Sequence, residues 1–258
     1  MSRKKHEEYP ALRHPPIVEV VCGVVFGSIP DLDPLVLGVY WDRRQATFPK
    51  RSLQPALTDE VGFSIGAFPM RAFLASADDQ FVVQLQHDRF LMNWRAVGAE
   101  YPRFSELHGE HGLLLRAMEE YTNFSEFVAG RTGVRPTPVR VELTKIDLLQ
   151  RGDHWSTLDD LAQLVPVTAV FAELQLSDER EVNLRFVERG ADGVALVHIA
   201  TLMQGPQPTA VRIEARRVAP ATDDIATAFA NANAVLNDVF FKLIPDAKAR
   251  FGLQGGRT

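Results

Sequence analysis

The 258-residue chain has a single cysteine, Cys22, so no intrachain disulfide is open to it and a reducing compartment is its natural setting. Long apolar runs are missing as well. No stretch of about 18 apolar residues occurs, so a membrane-spanning helix is not expected. The opening residues, MSRKKHEEYPALRHPP, are charged and lack an apolar signal segment, so no secretory leader is expected either. Neither sign of charge dominates: 28 Lys and Arg stand against 33 Asp and Glu, a net charge of −5 with a pI near 5.8. That balance weighs against a strongly basic nucleic-acid groove. The motifs GxSxG, HExxH, GxGxxG, CxxC and the Walker A loop are all absent. The expectation is a cytoplasmic protein with no cofactor and no metal, leaning away from catalysis.

What the chain does have is apolar residues, at 46%, and length enough to bury a sizeable core. Residues 17–26, IVEVVCGVVF, read as a buried strand. Asp33 is a helix cap with Pro34 at the first helical position, and Leu35, Val36, Val39 and Tyr40 follow at helical spacing. Residues 52–59 read as a loop, and EVGFSIGAFP and MRAFLASADD as strands. In QLQHDRFLMNWR, residues 84–95, apolar residues alternate with amides and arginine about a turn at His87-Asp88-Arg89. That alternation places Phe81, Val83, Leu85, Phe90, Met92 and Trp94 toward one core. Residues 104–130 read as a long helix weakened by Gly109 and Gly112.

The pattern then begins again. VRVELTKIDLL is a strand and TLDDLAQLV a short helix capped by Thr157 or Asp159. TAVFAELQL, EVNLRFVER, GVALVHIATLM and AVRIEARRV are four alternating segments, with a hairpin turn at Gly190–Gly193. A long helix closes the chain after Thr222. Glu19 matches Glu142, and Leu32-Asp33 matches Leu158-Asp159, at nearly equal offsets. The expected fold is therefore α+β: internally duplicated β-α-β4-α units whose strands form a curved antiparallel sheet with long helices on one face. TATA-binding-protein-like and helix-grip-like arrangements both satisfy that order. The expected parts are a flexible arm (1–14), a first half (15–134), a second half (135–250) joined to it in one compact domain, and a flexible tail (251–258).

Candidate chemistry is sparse. His108 and His111 have the spacing of a metal pair, but the sequence names no further ligand, so they read as surface residues. Cys22 lies in an apolar strand and reads as an inert core group. Glu19 and Glu142 are acids in otherwise buried strands. Paired across the repeat they would suit acid–base work, but the preferred reading is that each faces solvent or meets an arginine such as Arg140 or Arg185. Gln84, Gln86, Asn93 and Arg95, with Asn183 and Arg185 from the second half, line a polar sheet face. Against the default of a solvated outer face stands a recognition surface anchored by Trp41 or Trp94.

The segments PPIVEVVCGVVF (15–26), GVYW (38–41), QLQHDRFLMNWR (84–95), YPRF (101–104), VELTKID (141–147) and NANAVLNDVFFKLIPD (231–246) occur in that order. In this the chain resembles an uncharacterised, sporadically distributed family of bacterial proteins of about this length, and the likeness spans almost the whole sequence. Members often carry an aspartate and a histidine in the closing helix where this chain has Asn231 and Asn233, so no role for that histidine carries over. The resemblance implies a setting in defence or toxin–antitoxin-type gene neighbourhoods. The leading expectation is a non-enzymatic binding or regulatory protein with a protein partner and no membrane association. A helix-grip protein binding or processing a small ligand in a cavity is the first alternative. Nucleic-acid binding on a saddle-like sheet is the second, and is disfavoured by the acidic charge.

Overall fold

A computed structural model of the protein describes residues 11–57, 70–105, 112–169, 181–205, 207–222 and 224–253. Among these the chain is mixed α and β, with a large antiparallel sheet and five α-helices. The strands are β1 (Ile17–Phe26), β2 (Lys50–Pro55), β3 (Met70–Ala75), β4 (Phe81–Gln86), β5 (Arg89–Arg95), β6 (Pro138–Gln150), β7 (Asn183–Gly190), β8 (Gly193–Gln204) and β9 (Gln207–Pro220). The helices are α1 (Pro34–Arg44), α2 (Leu113–Thr132), α3 (Leu158–Leu164), α4 (Ile225–Leu243) and α5 (Ala247–Phe251). The chain divides into two compact units. The first comprises Val20–Glu142 with Pro220–Phe229, and the second Met1–Glu19, Leu143–Ala219 and Ala230–Thr258.

In the first unit the strand order is β2-β3-β4-β5-β1. Helix α1 starts where the sequence indicates: the Asp33 carboxylate accepts from the backbone N–H groups of Leu35 (2.8 Å) and Val36 (2.9 Å), and Pro34 gives up no needed donor at the first position. Helices α1 and α2 meet one face of the sheet through aromatic rings. Phe124 lies 6.1 Å from Phe26, 5.6 Å from Tyr40 and 5.6 Å from Phe90, and Tyr121 is 5.6 Å from Phe90. These edge and tilted contacts add to the burial of large rings that dominates such a core. The β4–β5 hairpin closes through the two residues His87 and Asp88, and its register pairs Val83 with Met92 and Leu85 with Phe90. That places the apolar set on one face, as the alternation predicts.

In the second unit the order is β6-β9-β8-β7, with β6 present from Leu143. Strands β7 and β8 turn tightly through Gly190 and Gly193. Gly193 has φ +129°, and a Cβ there would overlap the Val218 carbonyl, so only glycine fits. Val197, Ile199, Val211 and Ile213 of β8 and β9 bury against Leu149, Trp155, Leu161 and Leu164, and against Ile244 and Phe251 near the C-terminus. The Trp155 indole donates to the Leu149 carbonyl at 2.9 Å, so its one polar group is satisfied within the core. Thr157 caps α3 in a reciprocal box with Asp160.

Several expectations change. Residues 50–55 form β2 rather than a loop, because antiparallel pairing with β3 supplies the backbone bonds that KRSLQP does not advertise by apolar alternation. Helix α2 begins at Leu113, with Gly112 extended at its N-cap (φ −72°, ψ 166°), instead of at residue 104. The segment beginning TAV opens with a 3₁₀ turn at Pro166–Thr168 rather than a strand. The strand expected at EVGFSIGAFP, most of TAVFAELQL, His108, His111 and the outermost termini lie outside the described residues.

Candidate functional site

The polar side of the β4–β5 hairpin is covered in the structure. Gln86 is 1% exposed, Asn93 3% and Gln84 7%. Their polar groups are satisfied internally, as burial demands. Gln84 Nε2 donates to Asn93 Oδ1 at 2.7 Å. Gln86 donates to the Leu57 carbonyl (2.9 Å) and to Asp88 (2.7 Å), and accepts from the Leu57 N–H (2.9 Å). Asp88 also takes two bonds from the buried Arg89, at 3.2 and 3.1 Å. Burial and the Arg89 charge together lower the pKa of Arg71 beside this cluster. The expectation of an open polar face is therefore corrected for Gln84, Gln86 and Asn93, which tie the hairpin to its own surroundings.

The other first-unit candidates divide. Trp94 is buried with its ring 5.3 Å from Tyr101, so it is a core residue. Trp41 is half-buried, donates to the Phe48 carbonyl (3.0 Å) and carries the Arg51 guanidinium 3.8 Å above its ring. Arg95 is half-buried and lies over Phe73 at 5.3 Å. Glu142 is buried, so it does not face solvent, and it accepts from Arg140 Nε at 3.0 Å. In the second unit Glu19 is half-buried on β1.

The second unit keeps one sheet face open. From Ala195 to Thr201 on β8 and from Val211 to Arg216 on β9, buried residues alternate with half-buried ones, the mark of a sheet with one side in contact with water. The register sets Arg185 beside His198 and His198 beside Glu214; Asn183 beside Ala200 and Ala200 beside Arg212; Val187 beside Leu196 and Leu196 beside Arg216. These residues share the face opposite the Ile199–Ile213 core pair. Arg189 shares it too, since it lies at even spacing from Arg185 and Val187. The His198 ring meets Asn183 Oδ1 at 2.9 Å, and Arg212 bridges Glu214 at 2.7 Å. Asn183 and Arg185 are thus on an accessible, arginine-bearing surface, joined by His198, Arg212 and Arg216, which the sequence reading did not single out.

Two polar groups within the units went unread. On the core-facing side of β6, Val141, Leu143, Lys145, Asp147 and Leu149 are all buried. Lys145 Nζ donates to Asn237 Oδ1 on α4 at 2.7 Å. Burial raises the Asp147 pKa to about 7 against the opposing pull of Lys145. The alternation of VELTKIDLL already put a lysine and an aspartate among core-facing residues, and that was the available signal. In the first unit, Arg44 of α1 reaches both carboxylate oxygens of Glu120 on α2, at 2.6 and 2.7 Å. Burial raises the Glu120 pKa, with Arg44 pulling it back, and burial also raises that of the neighbouring Tyr40 hydroxyl. A single salt link between two helices clamps them rather than offering a site.

Among the described residues no group of three or more His, Cys, Asp or Glu side chains is placed to hold a metal ion, and Cys22 is buried in β1. No described helix is long and apolar enough to cross a membrane. No protein-family model matches the chain, and no curated protein matches it either.

Proposed function

We propose that the protein is a binding or regulatory protein that engages an acidic protein partner through the open face of β7, β8 and β9. The observation that carries this reading is the set Arg185, Arg189, Arg212 and Arg216 on one accessible sheet face, interleaved with Val187, Leu196 and His198. Guanidinium groups offer planar, forked donors to carboxylates, and the small apolar residues between them give a partner area to bury. Among its described residues the face carries no Phe, Tyr or Trp side chain, and His198 is its one ring. Single-stranded nucleic acid is held largely by stacking on such rings, so a protein partner suits this surface better. The proposed setting is cytoplasmic, with a defence or toxin–antitoxin-type module as the biological context, and the proposed fold is one of internally duplicated β-α-β4-α units.

One observation favours a second reading. Lys145 and Asp147 are buried on one side of β6, with Lys145 bonded to the half-buried Asn237 of α4, and a helix-grip protein holds a small ligand between a strand and a long helix. Native mass spectrometry of the protein purified from its host separates the two, because a retained small molecule lost in Lys145→Met supports the ligand reading. The binding reading is tested by placing a photo-crosslinking residue at Leu196 and irradiating in the host cell. A discrete protein adduct that disappears with Arg185→Glu/Arg212→Glu supports it. Adducts to nucleic acid alone, or a pattern indifferent to the charge reversals, overturn it.

A further inference from the structure

Among the described residues strand β7 is the last of its unit's sheet, paired with β8 on one side. Among the described residues Asn183–Gly190 makes no backbone hydrogen bond other than those to β8. Seven of its eight residues are exposed, including Phe186 at 41% and Val187 at 51%. An edge with free N–H and C=O groups and exposed apolar side chains is a template for another strand. The edge β2 of the other unit is less inviting: it begins Lys50-Arg51, ends at Pro55, and Lys50 is already salt-bridged to Asp79.

The charges on β7 select the occupant. Antiparallel pairing sets residues of the same face opposite each other, so a two-fold self-pairing centres on a residue. Centred on Arg185, Glu188 or Arg189, a like charge meets itself. Centred on Val187, Arg185 meets Arg189 of a second copy, and centred on Phe186, Leu184 meets a carboxylate. Centred on Leu184, only three residues of the strand overlap. Each register thus opposes like charges, sets Leu184 against a carboxylate or overlaps too little, and none gives Arg185 and Arg189 an acid, so a second copy fits less well than an acidic strand. A strand with carboxylates four residues apart fits well: one opposite Arg189 and one opposite Arg185 on the open face, a cation opposite Glu188, and apolar residues opposite Val187, Phe186 and Leu184.

We infer that β7 receives an extended acidic segment of the partner by antiparallel strand addition. This rests on the binding reading above and names its mode. The test uses the full chain and a fluorescein-labelled peptide, Ser-Thr-Glu-Lys-Val-Phe-Glu-Val-Thr, followed by fluorescence anisotropy. Three companions are measured: a scramble of the same composition, and two versions N-methylated at one or the other set of alternate residues. Binding is expected to be lost with the scramble and with one N-methylated set but kept with the other, because only alternate amides face β7. Arg185→Glu and Arg189→Glu are each expected to weaken binding by about three- to tenfold, since each turns an attractive cross-strand pair into a repulsive one. Amide hydrogen exchange is expected to slow across 183–190 on peptide binding.

If both N-methylated peptides bind as well as the parent while the arginine reversals still weaken binding, the open face stands and strand addition is wrong. If no peptide binds but the Leu196 crosslink survives, the partner uses the face without the edge, and this inference again fails alone. Light scattering that shows a dimer broken by Arg185→Glu makes a second copy the occupant, which also overturns it.

Discussion

Asp147 occupies the core-facing side of β6, fully buried, with Lys145 two residues away on the same side and the Lys145 ammonium already donating to Asn237. Burial raises its pKa from the ordinary 3.8 to about 7, so the folded protein holds this proton more tightly than the unfolded chain does. A carboxyl raised in this way favours the fold below its unfolded pKa, and that contribution fades as pH climbs toward the folded value. Between pH 5 and pH 8, with titration complete near 7, the change is roughly 3 kcal/mol at about 1.36 kcal/mol per pH unit. Asp147→Asn keeps the shape and removes the proton. Urea unfolding of both proteins at pH 5, 6, 7 and 8 isolates this group, since every other titration is shared. The variant is expected to gain on the wild type by roughly 3 kcal/mol from pH 5 to pH 8, with most of the change below pH 7. Parallel stability curves, or a wild type that gains on the variant toward pH 8, would refute the burial argument and make Asp147 an ionised partner of Lys145.

A double-mutant cycle of Gln84→Met and Asn93→Leu is expected to return a coupling of about 1 kcal/mol in urea melts, the size of a buried amide–amide hydrogen bond. Coupling near zero would place those amides in water. Burial outweighs the Arg44 attraction at Glu120, so Glu120→Gln, a mimic of the protonated acid, is expected to leave stability at pH 7 unchanged or slightly raised by thermal or urea unfolding, and a clear loss would refute that balance. Gly23→Val sets a Cβ 2.7 Å from the Leu91 side chain, and overpacking of that kind is expected to cost about 1–3 kcal/mol, read from the unfolding midpoint.

The hairpin shows what a sequence makes legible. Strict alternation and a two-residue turn predicted which side of β4 and β5 packs, because period two leaves one apolar set and one register to bury it. The same letters could not say whether Gln84, Gln86 and Asn93 face water. An amide bonded to Leu57 or to another amide has the same chemistry as one bonded to solvent, and the difference comes from what the rest of the chain lays against it. Strand β2 was missed for a related reason: KRSLQP gains its strand from β3, not from its own propensity. Lys145 and Asp147 are legible in the alternation from Val141 to Leu149, on the face opposite Glu142. The open face of the second unit was half-read, since Asn183 and Arg185 were chosen from β7 alone. Their neighbours His198, Arg212 and Arg216 come from strands whose register no single segment reveals.

The claim that separates the two sheet faces can be measured directly by hydrogen–deuterium exchange on the protein alone and on its complex isolated from the host. The account predicts new protection at 183–190, 194–200 and 212–218, with the already buried 81–95 unchanged. New protection at 81–95, with no change across β7, β8 and β9, would contradict it and return the recognition surface to the QLQHDRFLMNWR hairpin.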